Sequence, residues 1–518
     1  MAPSPACPRR RRRLSVGATA ILLLLPLLTP HEARGQDGEW SLLPAGHLRI
    51  GITGGFIHGD QRFDSQGDVH PLATDLRFSN GAYLFPGAEQ LAANLREVLG
   101  DPGYTPTLGA TPGAYIQASQ IRVPFTAEVG VTSWLTLGVT APLVKSRVEG
   151  EFGLLPTAGD DLGVNPAFTR YQQVLAFTDQ LAAAAGALPA GDSEVWGPWA
   201  ARWVQAYAAS GVFPAAGTAS GDALLAALDA FNAVLAGAGV APVTAAVPLA
   251  DEVLTNQGLR SLLSDPTAHF QILPLPTQLL WALGDLEVHG RVRLVEGPRR
   301  EATGRPEFGL TAMGSLRLPT GAGQETRALY DIPVDQGLLG FTMGGAGWAH
   351  LGRIGLGVMA RYGITRAGEV ERRVAPPDVA LVPVSNLSEV RRSPGNTLEV
   401  ELRPSLSLAP ALTVEGFYQY VKRSSDSFEA TQPLPQAPAV LTPFPDGHLY
   451  RDPSVLGAQT EATLHLMGGG LRFHPPAGEF PVEAWMNVRT AVAGSGGRVL
   501  KETRLEFGAR ATWVLWGR

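Results

Sequence analysis

The sequence predicts an all-β membrane protein: an antiparallel transmembrane β-barrel of about twelve strands, with an α-helical insertion in one loop. Three observations point there. Apolar and polar residues alternate in stretches of about ten to fourteen residues along the whole chain. The connections between these stretches alternate between long and short, and an export signal precedes them all. Strands of that length suit a tilted crossing of the hydrocarbon layer.

The N-terminus sets the compartment. Arg9 to Arg13 precede the apolar run Ile21 to Leu28, and Ala33-Arg34-Gly35 places small residues where a signal peptidase reads, so residues 1–35 read as a cleaved secretory signal peptide. Its apolar core is too short to anchor in a bilayer. Cys7 is the only cysteine and lies upstream of that core. The mature chain, 36–518, is therefore expected to have no disulfide, no thiolate metal site and no cysteine nucleophile.

The clearest strand is Asp285-Leu286-Glu287-Val288-His289-Gly290-Arg291-Val292-Arg293-Leu294, in which ionisable residues hold every odd position. A period of two puts those groups on one face of a strand and the aliphatic residues on the other. Segments of the same kind are read at 47–58, 117–131, 135–147, 284–295, 307–318, 338–349, 353–365, 397–408, 412–423, 459–473, 482–493 and 503–516. Single-sequence strand readings leave ten or fourteen strands open.

Loop length supports this order. Connections of about 58, 136, 19, 31 and 35 residues alternate with tight ones at Thr132-Ser133-Trp134, near Arg299 and Arg300, at Leu351, at Ala409-Pro410-Ala411 and at Pro475-Pro476. Gly494 to Glu502 makes a last modest loop. Long loops at one end only are the mark of a barrel inserted from the periplasm, with both termini inside. A soluble sandwich has no reason to keep them there.

The faces agree. Strand 397–408 sets Leu398, Val400, Leu402, Leu406 and Leu408 against Thr397, Glu399, Glu401, Arg403, Ser405 and Ser407, and 503–516 does the same with Leu505, Phe507, Ala509 and Ala511. Trp134, Trp348, Tyr362, Tyr418, Tyr420, Trp513 and Trp516 fall near strand ends, where aromatic girdles form. Residues 233–250 carry no charge, but Pro242, Pro248 and several glycines break them, which argues against a spanning helix there.

Residues 150–283 change character. Trp196, Trp199, Trp203 and Tyr207 fall at helical spacing, and Leu224, Leu225, Leu228, Phe231 and Leu235 form a second stripe with Ser220 or Asp222 as its cap. Topology places this insertion on the extracellular side, where it could plug the bore, cap the mouth or bind a partner. A short helix at Glu89 to Leu99 in the first long loop could pack beside it.

Without residues 1–35 the chain keeps 35 of its 41 basic and 46 of its 47 acidic side chains, a net charge of −11 that argues against nucleic acid as a partner. No Gly-x-Ser-x-Gly elbow, His-Glu-x-x-His or paired-His spacing occurs, so neither a metal nor a cofactor is expected.

Leu316-Arg317-Leu318-Pro319-Thr320-Gly321, then Asp335-Gln336-Gly337-Leu338-Leu339 and a glycine-punctuated hairpin ending Ala360-Arg361-Tyr362, resemble the outer-membrane proteins called phenol meta-pathway transporters, distant relatives of fatty-acid and aromatic-hydrocarbon channels. Gly284-Asp285-Leu286-Glu287 and Val131-Thr132-Ser133-Trp134-Leu135 are similar too. The chain departs from that group in its helical insertion and in ending Trp516-Gly517-Arg518. The resemblance implies passive uptake of small, rather hydrophobic or aromatic compounds.

The functional expectation is thus an outer-membrane channel or transporter in a Gram-negative-type envelope, not an enzyme. Its partners are outer-membrane lipid, a small-molecule solute and, during biogenesis, the barrel-assembly machinery. A structural or adhesive surface protein is the alternative, and a membrane hydrolase a remoter one. The expected lumen-lining residues are Arg122, Glu128, Asp285, Glu287, His289, Arg291, Arg293 and Arg361, with Glu399, Glu401, Arg403, Glu415, His465, Glu483, Arg489, Glu506 and Arg510. They either pair across strands to make a wet interior soluble or form a constriction whose sign selects solutes. Their near balance implies no strong ion selectivity.

Overall fold

The computed structural model describes residues 42–265, 270–273, 277–278, 281–297, 307–321, 325–330, 336–432, 452–474 and 482–516. Residues 1–35, where a signal peptide is expected, with Cys7, the connection at 299–300 and the prolines at 475–476 lie outside the described residues.

Among the described residues twelve long strands form one antiparallel sheet that closes on itself. In chain order they are β1 (His47–Gly59), β2 (Tyr115–Thr132), β3 (Leu135–Glu151), β4 (Leu286–Glu296), β5 (Glu307–Leu318) and β6 (Gly340–Leu351). There follow β7 (Ile354–Thr365), β8 (Thr397–Ala409), β9 (Leu412–Arg423), β10 (Ala462–Phe473), β11 (Val482–Ser495) and β12 (Thr503–Val514). Each pairs with its neighbours in sequence, and β1 pairs with β12 from His47↔Val514 to His58↔Thr503. The sheet therefore has no free edge, as a barrel in lipid requires. Twelve strands, each at the place the alternation indicates, is the number read from the sequence.

The period-two pattern explains why these segments become a barrel. Ile50, Ile52 and Phe56 on β1, Leu398, Leu402 and Leu406 on β8, and Met486, Val488 and Val492 on β11 all point outward and are exposed. Their neighbours Arg49, Glu401, Arg403 and Arg489 point inward and are buried. In water such an apolar belt would forgo roughly 1.5–3 kcal/mol per large side chain; against lipid it does not.

Two strands exceed their expected length. β2 and β3 run 18 and 17 residues and stand above the rest of the sheet at the end holding the long loops. β4 pairs with β3 only between Val292↔Leu135 and Glu287↔Thr140. Further up, β3 takes the short strands Ala282–Leu283 and Thr277–Gln278 as partners.

The insertion is helical, as expected. It contains α2 (Tyr171–Gly186), α3 (Ala190–Tyr207), α4 (Ala219–Gly237) and α5 (Asn256–Ser264), and α1 (Ala88–Leu99) from the first long loop packs on α3. Trp199 Nε1 donates to the Val98 carbonyl at 2.9 Å, and Arg202 meets Glu97 at 2.8 Å. The stripes find one another: Trp203, Tyr207, Phe177, Phe213, Phe231, Leu91 and Leu95 are fully buried in one core. By length and composition α4 could cross a bilayer; instead its Leu224, Phe231 and Leu235 enter this core. Its cap corrects the expectation of Ser220 or Asp222. Thr218, in extended conformation, accepts from Gly221 N at 3.2 Å, and Leu225 faces outward.

The helical core also takes in Ile116, Ala118 and Val148 at the tall ends of β2 and β3, with Leu329, Tyr330, Ala380, Leu381 and Leu500 from three other loops. Contacts to loops around the rim make the insertion a cap over the mouth. Beside it stands a three-stranded sheet, Gly368–Arg373, Leu387–Ser393 and Ser427–Ala430, that the sequence did not indicate.

Candidate functional site: the barrel lumen

Inward-facing side chains gather in three groups. The first joins β1, β2 and β4. Arg49 Nη2 lies 2.6 Å from Glu128, His289 Nε2 lies 3.0 Å from the other carboxylate oxygen, and Arg291 pairs with that same oxygen. Gly138 on β3 makes this possible. A Cβ there would stand 2.4 Å from His289 Nε2 and 2.7 Å from Glu128 Cγ, so only a glycine lets β2 and β4 side chains meet over β3.

The second group joins β9 to β12 near the short turns. Arg472 bridges Glu415 and Glu483, each at 2.7 Å, and Arg510 meets Glu483 at 2.5 Å. Trp485 lies beneath both guanidiniums, with centroids 5.6 Å from Arg472 and 5.9 Å from Arg510. Just outside the strand, burial lowers the His474 imidazole pKa against the pull of Glu483, which favours its neutral form.

The third group crosses the bore. Arg489 on β11 and Arg403 on β8 both pair with Glu401, at 2.8 and 2.6 Å. The Phe417 ring lies 4.3 Å from Arg489 and 5.1 Å from Arg403. Above it Gln419 donates to Glu399 at 2.7 Å, and Arg361 pairs with Glu399 at 2.7 Å.

Exposure divides the lumen into two zones. Arg361 and Arg317, nearer the long loops, keep 42 % and 27 % of their side-chain surface, whereas Glu128, Arg472 and Glu483, nearer the short turns, keep 5–7 %. The half near the loops is a wet vestibule. The half near the turns is filled by paired charges and aromatic rings, and a charge so far from water is tolerable because each has a partner.

The remaining expected lumen residues are placed as follows. Arg122 and Glu287 lie on inward faces, opposite Gly55 and Arg317. Arg293 pairs with Glu296 at the turn-end rim, where a register shift interrupts the strand, and so belongs to no lumen group. Asp285 lies just outside β4. Its buried carboxylate accepts from Gly321 N at 2.8 Å and Gly337 N at 3.3 Å, tying down a loop.

His465 is a correction. It shares its face with exposed Met467 and Leu471, and its Nδ1 meets the Tyr418 hydroxyl at 2.8 Å beside Tyr420, so it faces outward. Its strand partner in the bore is Arg472, of opposite parity. Gly468-Gly469-Gly470 separates the two and carries no side chain from which the alternation could be followed. Trp348 is corrected too: it points inward, stacked over Gly309 and tilted against His350 at 5.5 Å, rather than joining a girdle. Arg49, Phe417, Gln419 and Trp485 were also missed, although the parity of their strands would have placed all four inward.

No protein-family model matches the chain, and no curated protein matches it. Among solved structures it is similar to an outer-membrane channel from Pseudomonas putida F1, with 10 % identity and a TM-score of 0.42 over 92 % of this chain and 99 % of the other. It is also similar to the toluene transporter TbuX of Ralstonia pickettii, with 8 % identity and a TM-score of 0.27 over 90 % of each chain. The β-domain of a Bordetella autotransporter gives 7 % identity and a TM-score of 0.28 over 89 % and 99 %. The fold rests on the ladders described above, not on these likenesses.

Proposed function

We propose that the chain is an outer-membrane channel for passive uptake of small, rather hydrophobic or aromatic compounds, with the capped, long-loop end outside the cell. What carries this reading is the mixed lining of the bore, where Phe417 and Trp485 lie flat against Arg403, Arg489, Arg472 and Arg510. Aromatic faces interleaved with guanidiniums offer stacking to a planar solute without requiring it to be charged. The filled zone below the vestibule holds back bulk ions, and a solute passes it by displacing rings and ion pairs locally. Export across the inner membrane by the segment 1–35 and insertion by the barrel-assembly machinery complete the proposal.

A second reading draws on the same filled zone. Buried ion pairs and a helical cap would equally suit a structural or adhesive anchor that conducts nothing. Liposome swelling separates the two. Proteoliposomes should take up phenol or toluene-sized solutes faster than protein-free liposomes and admit sugars slowly. Equal rates with and without the protein would remove the transport reading and leave the anchor.

A further inference from the structure

A cavity of about 550 Å³ opens among the loops at the capped end, floored by the ends of β9 and β10 and walled by the loops that follow β5, β7 and β11. Six arginines line it: Arg327, Arg372, Arg373, Arg392, Arg423 and Arg498. Among the described residues three carboxylates do, namely Glu325, Asp426 and Glu461. The described lining thus has three more arginines than carboxylates.

These arginines are held in different ways. Asp426 takes both Arg392 at 2.7 Å and Arg423 at 2.5 Å. Arg498 turns away to Asp75 at 3.0 Å, and Arg327 meets Glu325 at 3.2 Å. Arg373 is held by carbonyls instead. Its Nη1 donates to Phe270 O at 2.6 Å and Val382 O at 2.7 Å, while its buried Nε–H has no acceptor among the described residues. Burial, with Arg327 beside it, lowers its pKa to about 10, so it remains charged at neutral pH. The lining also has an apolar share, from Ile272, Phe428, Val455 and Leu456.

We propose that this cavity binds a small organic anion, a carboxylate on a compact apolar or aromatic body, as the outer recognition site of the channel. The carboxylate sits on the Nη groups of Arg327, which meets Glu325 through its Nε, with the charge of the carbonyl-held Arg373 beside it, and the body lies on Phe428 and Leu456. The volume is that of an ordinary small-ligand pocket. The site rests on the channel reading and adds aromatic carboxylates to the neutral solutes named there, yet binding in detergent does not require conduction, so the two can fail separately.

The test is titration of the purified full-length protein in detergent with benzoate, toluene and inorganic phosphate, followed by calorimetry. Benzoate should bind with one site per chain, toluene and phosphate at least about tenfold more weakly, since each offers only half of what the cavity recognises. Arg373→Gln should weaken benzoate about tenfold or more. Because that substitution also removes loop hydrogen bonds, Arg327→Gln, on a half-exposed side chain, serves as the second variant and should weaken benzoate while leaving the heat-modified gel shift of the barrel unchanged. Phosphate binding as tightly as benzoate, toluene binding as tightly as benzoate, absence of benzoate binding, or wild-type benzoate affinity in Arg327→Gln and Arg373→Gln would each overturn the proposal.

Discussion

Arg489 on β11 reaches Glu401 on β8 at 2.8 Å across the bore, past two intervening strands. Both side chains are nearly fully buried, and Arg403 completes the carboxylate's coordination at 2.6 Å. This strap ties β8 to β11 across two intervening strands. Glu401→Gln keeps the shape and removes the charge that holds two guanidiniums. Single-channel recordings in planar bilayers should show ion conductance several-fold above wild type, and the barrel should lose about 3–5 kcal/mol of unfolding stability in urea titrations, the usual cost of orphaning a buried charge. Unchanged conductance would mean that the strap does not close the pore.

Gly138 sits under the Glu128–His289 contact. Gly138→Val puts a branched side chain where His289 Nε2 and Glu128 Cγ already stand within 2.7 Å of a bare Cβ, so one of the two must leave. The variant should unfold at a lower temperature than wild type by heat-modified gel shift. Gly363→Ala, whose Cβ would meet nothing closer than 3.6 Å, should match wild type.

Trp203 is fully buried at the centre of the helical cap, 5.2 Å from Phe177 and 5.7 Å from Trp199. Trp203→Ala should cost the cap about 3–5 kcal/mol. Limited proteolysis should then cut within 152–265 while the barrel fragments stay resistant. Simultaneous loss of cap and barrel would show that the two are one cooperative unit.

Asp426 lies in the loop after β9, where burial alone would raise its carboxyl, but Arg423 and Arg392 hold it below its ordinary 3.8. A depressed folded-state value stabilises above the unfolded one and is lost as pH falls through the folded one. The loop sheet around 387–393 and 427–430 should therefore keep its hydrogen-exchange protection down to about pH 4 and loosen below it. Asp426→Asn should bring that loosening to neutral pH; protection unchanged in the variant would contradict it.

The sheet was readable because a strand's periodicity is local: Leu398 to Leu408 and Thr397 to Ser407 declare their faces without knowledge of any partner. What pairs with what was not. Glu401 and Arg489 are 88 residues apart, and only closure of the ring brings them together. His465 was misplaced because three glycines erased the parity beside it, and Arg472 went unseen for the same reason. Asp285 has the parity of a lumen residue but lies beyond the strand, where backbone amides of two loop glycines claim its carboxylate. The arginine-lined cavity was illegible altogether, since its walls come from loops spread between Ile272 and Val499.

The most direct test of the barrel and its faces is nitroxide scanning of β8 from Thr397 to Leu408 in lipid bilayers, in a chain with no cysteine in residues 36–518 to compete for the label. Labels at Leu398, Val400, Leu402 and Leu406 are expected to relax strongly with membrane-dissolved oxygen, and labels at Glu399, Glu401 and Arg403 weakly, with a period of two. Uniform accessibility, or a period near 3.6, would contradict the account.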